Sequence, residues 1–451
     1  MDQLVLGKSK KIILQLALPI IGGLSVQMLL SLVDTAIIGR LPDAKYQLAG
    51  LGIAFYATWA VISFFSSLST GTQVLISRKE GSNEFSECGN ILNSSLLMGL
   101  VIGLTVSTII VLFSSDIANL FATDQIVAGY AGSYLFYRFM GLPFFLISVS
   151  YRGFYFGIGK TKIFMIAGVI ANLANIFLDY TLVFGTFGFK GMGLAGAGLG
   201  SAIATMLETF VYVIVSLMKS YRTKYMLFKK FLFNQNIAKV ILKLSLPVSF
   251  QSVFTLTGLL LFISIVGLIG AEQQAASQVV LSAMFLSFMP SMGFGIVSQT
   301  LVGNQLGEND IESARRWGFE TSKISTTYTF LLGIIFISFP EYIASILTTN
   351  INIISLAVPI LQIAGFAQIF FGISIVLANG LLAAGESLFV MMTDVTLNLF
   401  VFVPLAYLLG IILHLGLVGI WIAVPFYASL YSLVIFLRFN SNMALKKKIE
   451  Y

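Results

Sequence analysis

Two aspartates lie in stretches of the sequence that otherwise avoid charge. Asp34, within "LSLVDTAIIGRL" (30–41), is the only ionisable side chain between Ile12 and Gly39, and Asp179 ends the stretch "ANLANIFLD". If two such carboxyl groups meet, they cannot both ionise cheaply, because burial and like charge each favour the protonated form. Their oxygens are also ligands that a hard cation such as Na⁺ prefers. The pair therefore predicts an ion-binding site, with H⁺ and Na⁺ both open.

Helical spacing groups further polar residues with these acids. Gln27 and Asp34 are seven residues apart and share a helix face. Asn172, Asn175 and Asp179 stand at i, i+3 and i+7 and form a polar stripe. A charge at mid-membrane costs about 2.5–3.5 kcal/mol on insertion scales, so both faces are predicted to line an internal, wet cavity. Asp34, Asn175 and Asp179 are the predicted ion ligands. The alternative is that these side chains only join helices by hydrogen bonds.

The composition places these residues in a membrane protein. Of 451 residues, 57% are hydrophobic and only 10% are charged, with a mean hydropathy of +0.95, whereas a soluble protein carries about 25% charged residues. The apolar runs reach the ~20 residues that a spanning helix needs and lack the alternation of a membrane barrel. We predict an all-α integral membrane protein with twelve transmembrane helices, near 12–39, 48–76, 91–114, 125–153, 162–186, 192–218, 240–270, 274–302, 318–338, 352–379, 388–413 and 415–438.

Positive charges predict the orientation, since Lys and Arg favour cytoplasmic loops. With the N-terminus inside, 22 of the 26 Lys and Arg residues fall in inner segments, among them Lys8, Arg152, Lys230 and Lys448. The other four are Arg40, Lys45, Lys190 and the mid-helix Arg138. Both termini are therefore predicted to be cytoplasmic. The net charge of +7 then needs no nucleic-acid partner to explain it.

The two halves of the sequence repeat. The matching segments are "KIILQLALPI" (11–20) with "KVILKLSLPV" (239–248), "EGSNEFSECG" (80–89) with "LGENDIESAR" (306–315), "GIGKT" (157–161) with "AAGES" (383–387), and "GLAGAG" (193–198) with "GLVGIW" (416–421). The last offset also sets Asn175 opposite Asn398. The repeat predicts two six-helix bundles related by a pseudo-two-fold axis around a central cavity, as in alternating-access transporters. The predicted parts are an N-terminal lobe (1–218), a basic linker along the inner membrane surface (219–239) and a C-terminal lobe (240–451).

Over nearly its whole length the sequence resembles the MATE (multidrug and toxic compound extrusion) transporters. The resemblance rests on "LALPI…DTAIIG" in the first helix, "RGFYFGIGKTK" after the fourth and "GMGLAGAGLGSAIAT" opening the sixth. It looks most like the DinF-like subgroup, which is marked by a late Asp in helix one and by Asn-x-x-x-Asp in helix five, here Asn175 to Asp179. Another branch carries a Glu early in helix seven and an Asp in helix ten. Here Gln251 stands at the first position and helix ten has no acid, so the resemblance implies ion coupling in the N-terminal half.

Four further polar residues have predicted places. Ser201 matches the family's hydroxyl at the opening of helix six and is carried over to the cavity on that ground. Arg138 is expected to line the cavity and pair with an acid there, or else to form a purely structural ion pair or snorkel outward. Glu208 could line the cavity or pair with Arg138. Asp394 is expected to begin helix eleven near the inner surface and to face cytoplasmic water or the helix start.

The resemblance implies export of amphipathic, mainly cationic drugs in exchange for H⁺ or Na⁺, by alternating access. The alternative is a flippase for lipid-linked oligosaccharides of the same superfamily, which would need more deep cations than Arg138 alone. No enzyme is expected, because "GIGKT" lacks the strand and first glycine of a P-loop and no catalytic cluster is evident. We expect a monomer in the cell (inner or plasma) membrane, with no cofactor, ATP or nucleic acid.

Overall fold

The computed structural model describes residues 2–229 and 233–447, apart from the side chains of residues 2–8, 29, 31, 32 and 442. Lys230, Lys448 and the side chain of Lys8, which were counted above as cytoplasmic charges, lie outside the described residues. All regular secondary structure in the described ranges is helical. The helices are α1 (Asp2–Ile38), α2 (Ala44–Gly81), α3 (Phe85–Leu112), α4 (Ser114–Phe121), α5 (Gln125–Met140), α6 (Leu142–Gly157), α7 (Thr161–Phe184), α8 (Leu194–Leu217), α9 (Lys219–Lys224), α10 (Gln235–Gly267), α11 (Ala271–Gly307), α12 (Ile311–Ser338), α13 (Pro340–Leu347), α14 (Ile351–Ala383), α15 (Ser387–Leu397), α16 (Val403–Tyr407), α17 (Gly416–Asn440) and α18 (Asn442–Leu445).

Each of the twelve predicted transmembrane helices has a counterpart in this order. Within the described residues, ten helices are long and apolar enough to cross a membrane, or up to twelve if the bent pairs α5–α6 and α12–α13 each count as one. α5 and α6 meet at 50° around Gly141, and Pro143 lies in the first turn of α6. Proline is tolerated there because the first turn has no backbone acceptor for its missing N–H. The prediction of an all-helical, multi-pass membrane protein is confirmed.

The chain divides into two compact units. The N-terminal unit runs from Gly22 to Leu246, and the C-terminal unit combines the residues up to Ile21 with those from Pro247 onward. The boundaries therefore fall inside α1 and α10, at or near a proline that each helix contains, Pro19 and Pro247. An internal proline removes one helix hydrogen bond and weakens the helix locally. The lobes predicted at 1–218 and 240–451 stay a prediction.

Small residues bring helix backbones close within each unit. In the N-terminal unit, a Cβ at Gly153 of α6 would lie 2.6 Å from the carbonyl oxygen of Ser69 on α2. In the C-terminal unit, Gly333 of α12 and Gly365 of α14 face one another, and a Cβ on either would lie within 2.8 Å of the other's carbonyl oxygen. Lipid offers no hydrophobic force between helices, so close van der Waals packing of this kind holds them together.

Matched turns in the two halves share an unusual backbone conformation. Asn83 (φ 61°) corresponds to Asn309 (φ 60°), and Gly159 (φ 68°) corresponds to Gly385 (φ 83°). Positive φ is uncommon for residues with a side chain, and asparagine tolerates it better than most. The repeat seen in the sequence thus extends to individual backbone angles.

The described part of the predicted linker is docked on the N-terminal unit. Tyr225, 2% exposed, packs edge-on against Phe85 and Phe154. Next to it, Lys224 Nζ lies 2.8 Å from Glu80 Oε1 at the end of α2. These contacts attach residues 219–229 to the ends of α2, α3 and α6. The position of the linker on the inner membrane surface stays a prediction.

Candidate functional site

The N-terminal unit brings the two predicted acids together. Asp34 lies near the end of α1 and Asp179 in the second half of α7, and their carboxyl groups are within hydrogen-bond reach of each other. Asp179 is fully buried, and Asn175, one turn earlier on α7, is 2% exposed. Asn175 Nδ2 donates to Asp179 Oδ1 at 2.9 Å. The spacing of four residues on one helix therefore places an amide where it holds one carboxyl oxygen.

Each of the two carboxyl groups keeps one buried oxygen that no donor in the described residues reaches, Asp34 Oδ1 and Asp179 Oδ2. Ionised carboxylates only accept hydrogen bonds, so two of them can approach only with a proton or a cation between them. The oxygen-only donor set fits a small hard cation. Within the described ranges, no three His, Cys, Asp or Glu side chains converge as a transition-metal site would require. The pair can hold one proton or one such cation.

Helix α8 makes room for Asp179 at Gly200. A Cβ added to Gly200 would overlap Asp179 Oδ1. The neighbouring Ser201 is half-buried, and its hydroxyl approaches that of Tyr134 on α5 rather than a carboxyl group. Tyr134 in turn lies close enough to both Asp34 and Asp179 to interact with them electrostatically. Ser201 is therefore connected to the pair through Tyr134.

Arg138 follows Tyr134 by one turn on α5 and attracts both carboxyl groups electrostatically. In the described part of the chain, none of the Arg138 guanidinium nitrogens lies within 4 Å of a carboxylate oxygen. The expected ion pair between Arg138 and an acid is thus replaced by an attraction over a longer distance. A guanidinium held at this distance supplies positive potential without occupying the space between the two acids.

Two predicted cavity residues are not joined to the pair. The Gln27 side chain is exposed and that of Asn172 is half-buried. Among the described residues, no hydrogen bond connects either one to Asp34 or Asp179. Their place on a cavity wall stays a prediction.

The structure pairs Glu208 with Arg152, and this corrects the predicted pairing with Arg138. The contact is bidentate: Arg152 Nη2 donates to Glu208 Oε2 at 2.9 Å and to Oε1 at 2.8 Å, and Nε donates to Oε1 at 3.2 Å. Tyr212, one turn beyond Glu208, also donates to Oε1 at 3.1 Å. Arg152, counted above among the cytoplasmic charges, has a side chain only 14% exposed inside α6. Helix α6 continues to Gly157, so Arg152 lies within the helix rather than after it.

Asp394 is buried, which corrects the expectation that it faces cytoplasmic water. It lies eight residues into α15 and is 4% exposed. Its carboxyl group accepts hydrogen bonds from Gln251 Nε2 at 2.8 Å, from Thr255 Oγ1 at 3.0 Å and from the Tyr427 hydroxyl. The helix begins at Ser387, so two turns separate Asp394 from the helix start.

Sequence reasoning missed Gly200, Tyr134 and the surroundings of Asp394. Gly200 had a signal, since it lies in the glycine-rich opening of α8. Asp394 also had one: it precedes Asn398 by four residues, the reverse of the Asn175–Asp179 order at the matched position in the first half. Tyr134 had none, because a tyrosine in an apolar helix is usually a packing residue.

We expect Gly200→Ala to disrupt the contact between the Asp34 and Asp179 carboxyl groups. The added methyl group must displace the Asp179 carboxyl, which breaks its hydrogen bond to Asn175 and separates it from Asp34. The ion-driven export that the resemblance implies should then fall at least about fivefold for Gly200→Ala in proteoliposomes, the lower end of typical coupling energies. The matched control is Gly168→Ala on α7, where a Cβ meets nothing within 4 Å. Equal rates in the two variants would contradict the close contact.

The repeated helical halves and the buried acids in spanning helices define a class of multi-pass membrane transport proteins. The MatE family model matches residues 19–181 and again residues 247–408. The chain therefore belongs to the MATE family, whose members are transporters and not enzymes. The two matches also agree with the internal repeat. The assignment to the DinF-like subgroup stays a prediction.

Individual relatives cover most of the chain. It is 28% identical over 420 residues to the "Probable multidrug resistance protein NorM" of Thermotoga maritima, which covers 92% of this chain and 88% of the relative. It is 26% identical over 419 residues to the "Multidrug resistance protein NorM" of Photobacterium profundum, covering 91% and 90%.

Solved structures share the fold. A MATE in the straight conformation has a TM-score of 0.89 at 21% identity, with 98% of this chain and 97% of that chain covered. An outward-facing multidrug resistance MATE transporter of the MOP superfamily has a TM-score of 0.87 at 22% identity, with the same coverage. At this identity the likeness concerns the fold alone.

Proposed function

We propose that the protein exports amphipathic organic cations in exchange for H⁺ or Na⁺, and that Asp34 and Asp179 bind the exchanged ion. The observation that carries the proposal is the contact between these two carboxyl groups on α1 and α7, each with a buried oxygen that no described donor reaches. The family and the multidrug resistance names of the relatives support the substrate class. The membrane is expected to be the inner or plasma membrane.

Binding of one cation changes the charge of the pair by one unit in a low-dielectric interior. In such an interior the Coulomb energy of a unit charge is several times larger than in water. A ligand shifts a conformational equilibrium only as far as its affinity differs between the two states. Coupling therefore requires that the ion and the drug prefer different states of the transporter, so that the ion entering from outside favours release of the drug.

The neighbouring residues have distinct roles in this proposal. Asn175 holds Asp179 Oδ1 and could turn its own carbonyl oxygen toward a bound Na⁺. The Tyr134–Ser201 pair and Arg138 set the potential at the two acids. Positive potential from Arg138 favours the ionised form, which allows the pair to release its ion on the inner side.

A lipid-linked-oligosaccharide flippase is the less favoured function. A pyrophosphate headgroup requires several unneutralised cations, because each Lys or Arg contributes a charge-assisted hydrogen bond. In the described N-terminal unit, Arg152 of α6 is neutralised by Glu208. Arg138 of α5 lies beside two acids that would repel such a headgroup.

Transport in proteoliposomes tests the proposal. The probe is tetraphenylphosphonium, whose permanent charge prevents passive trapping in an acidic lumen, and valinomycin with equal K⁺ clamps the membrane potential. Separate arms impose an acidic lumen, a Na⁺-loaded lumen, or no gradient. We expect accumulation above protein-free liposomes in one gradient arm and none without a gradient. Absence of accumulation in both gradient arms, together with movement of a fluorescent lipid-pyrophosphate analogue, would replace this function with the flippase.

A further inference from the structure

The C-terminal unit contains a second buried carboxyl group, which the proposed function does not use. Asp394 of α15 faces one side of α10, formed by Gln251, Thr255 and Gly258 at helical spacing. Gln251 and Thr255 both donate to Asp394 Oδ2, and Tyr427 of α17 donates to Oδ1. Three donors therefore hold the ionised form of this carboxyl group.

Among the described residues, no positively charged side chain is paired with Asp394. None of the salt bridges in the described residues involves it. The side chains that surround it are uncharged ones from α10 and the two phenols Tyr427 and Tyr431 from α17, Tyr431 lying next to the Gln251 amide. The adjacent α14 contributes no ionisable side chain anywhere along its length. A buried carboxylate with hydrogen bonds but no counter-charge is the arrangement in which binding a cation gains most.

Asn398 provides a hydrogen-bond acceptor that the ionised Asp394 carboxylate cannot use, because a carboxylate has no proton to donate. It lies one turn beyond Asp394, is 5% exposed, and its Oδ1 is buried without a donor among the described residues. The amide approaches the Tyr427 hydroxyl that also binds Asp394, and Oδ1 points at Gly258, where a Cβ would overlap it. The helix widens here into a π-helical segment, Asn398–Phe402. Such segments are frequent at functional sites.

Thr255 has alternative hydrogen-bond partners. Its Oγ1 lies 2.8 Å from the carbonyl oxygen of Gln251 as well as 3.0 Å from Asp394 Oδ2. If Asp394 gains a proton, Thr255 can keep the carbonyl bond and release the carboxyl group. Thr255 is exposed, so Asp394 lies one hydrogen bond from the surface of the unit. The neighbouring side chains can therefore offer hydrogen-bond partners to both the ionised and the protonated form of Asp394.

We propose that Asp394 is a second proton-binding group of this transporter, located in the C-terminal unit. In the ionised state it accepts from Gln251, Thr255 and Tyr427. In the protonated state, a proton taken from water is donated to Asn398 Oδ1, and Thr255 keeps its bond to the Gln251 carbonyl. This does not depend on which ion binds at Asp34 and Asp179, or on which substrate is exported.

Infrared difference spectroscopy of the full-length protein tests this proposal without a transport assay. Spectra recorded at several pH values in K⁺ buffer report protonation in the carboxylic-acid C=O stretching region, and aspartate labelled with ¹³C at the carboxyl carbon identifies aspartate bands. We expect a pH-dependent aspartate band that Asp394→Asn removes and that persists in the Asp34→Asn/Asp179→Asn double variant. That double variant separates this result from a failure of the proposed function.

A second variant serves if Asp394→Asn does not fold. Asn398→Ala removes the proposed acceptor, so the band should remain and shift to higher frequency, because a carboxylic acid that loses a hydrogen bond has a stiffer C=O bond. The proposal is overturned if Asp394→Asn retains every titrating band. It is also overturned if the band fails to respond to pH, or responds to added Na⁺ at constant pH.

Discussion

Asp179→Asn should abolish gradient-driven accumulation of tetraphenylphosphonium, reducing it to the level of protein-free liposomes. The substitution preserves the size of the side chain and fits the space beside Gly200, but it removes the group that binds and releases the ion. It also leaves Asp34 without the partner whose carboxyl group it approaches. The loss should be at least about tenfold, within the range of allosteric coupling energies.

Three companion variants make this result specific. Asp34→Asn should cause the same loss, and the double variant should be no worse than either single one, because contacting residues that act as one unit are not additive. Asp116→Asn, at an exposed acid of α4, serves as the control and should transport like the wild type. Full coupled transport in both single variants would show that the acids only join helices, and the proposed ion site would then be wrong.

Glu208→Ala should cause the largest loss of stability. The pair between Arg152 and Glu208 is bidentate, and the two side chains are 14% and 8% exposed. Removing one partner of a buried pair leaves an uncompensated charge and typically costs about 3–5 kcal/mol. Tyr212 also loses the acceptor for its hydroxyl. A thermal unfolding scan of the purified protein should therefore show a much lower apparent melting temperature.

The double variant Arg152→Met/Glu208→Leu should recover most of this stability, because apolar residues of similar volume often replace a buried ion pair at little cost. Glu320→Ala is the control, since its partner Lys323 is 69% exposed and surface pairs contribute little. If the double variant is as unstable as Glu208→Ala, the loss arises from packing and not from an unpaired charge.

The helical type and the order of the spanning segments were predictable from the sequence. Apolar runs long enough to span a bilayer leave a backbone few alternatives to the helix, since lipid cannot satisfy free N–H and C=O groups. The repeat was equally visible, and the shared φ angles at Asn83 and Asn309 show that it reaches the turns. Such features depend on residues that are near one another along the chain.

The meeting of Asp34 with Asp179 was only partly predictable. Helical spacing placed Asn175 and Asp179 on one face of α7, and the hydrogen bond between them follows from that spacing. The approach of α1 to α7, however, depends on how the helices pack, and no periodicity within one helix encodes it. The role of Gly200 depends on the same packing, because a glycine signals close approach without naming its neighbour.

The sequence alone thus determined an all-helical, internally repeated, multi-pass membrane protein with acids in its apolar helices. Only the tertiary structure decided that Glu208 pairs with Arg152 instead of Arg138, and that Asp394 is buried against α10 and α17. The physical reason is rotation about the helix axis. An apolar helix in lipid has no single polar face to fix its orientation, so the partner of each buried charge is set by contacts between helices distant in sequence.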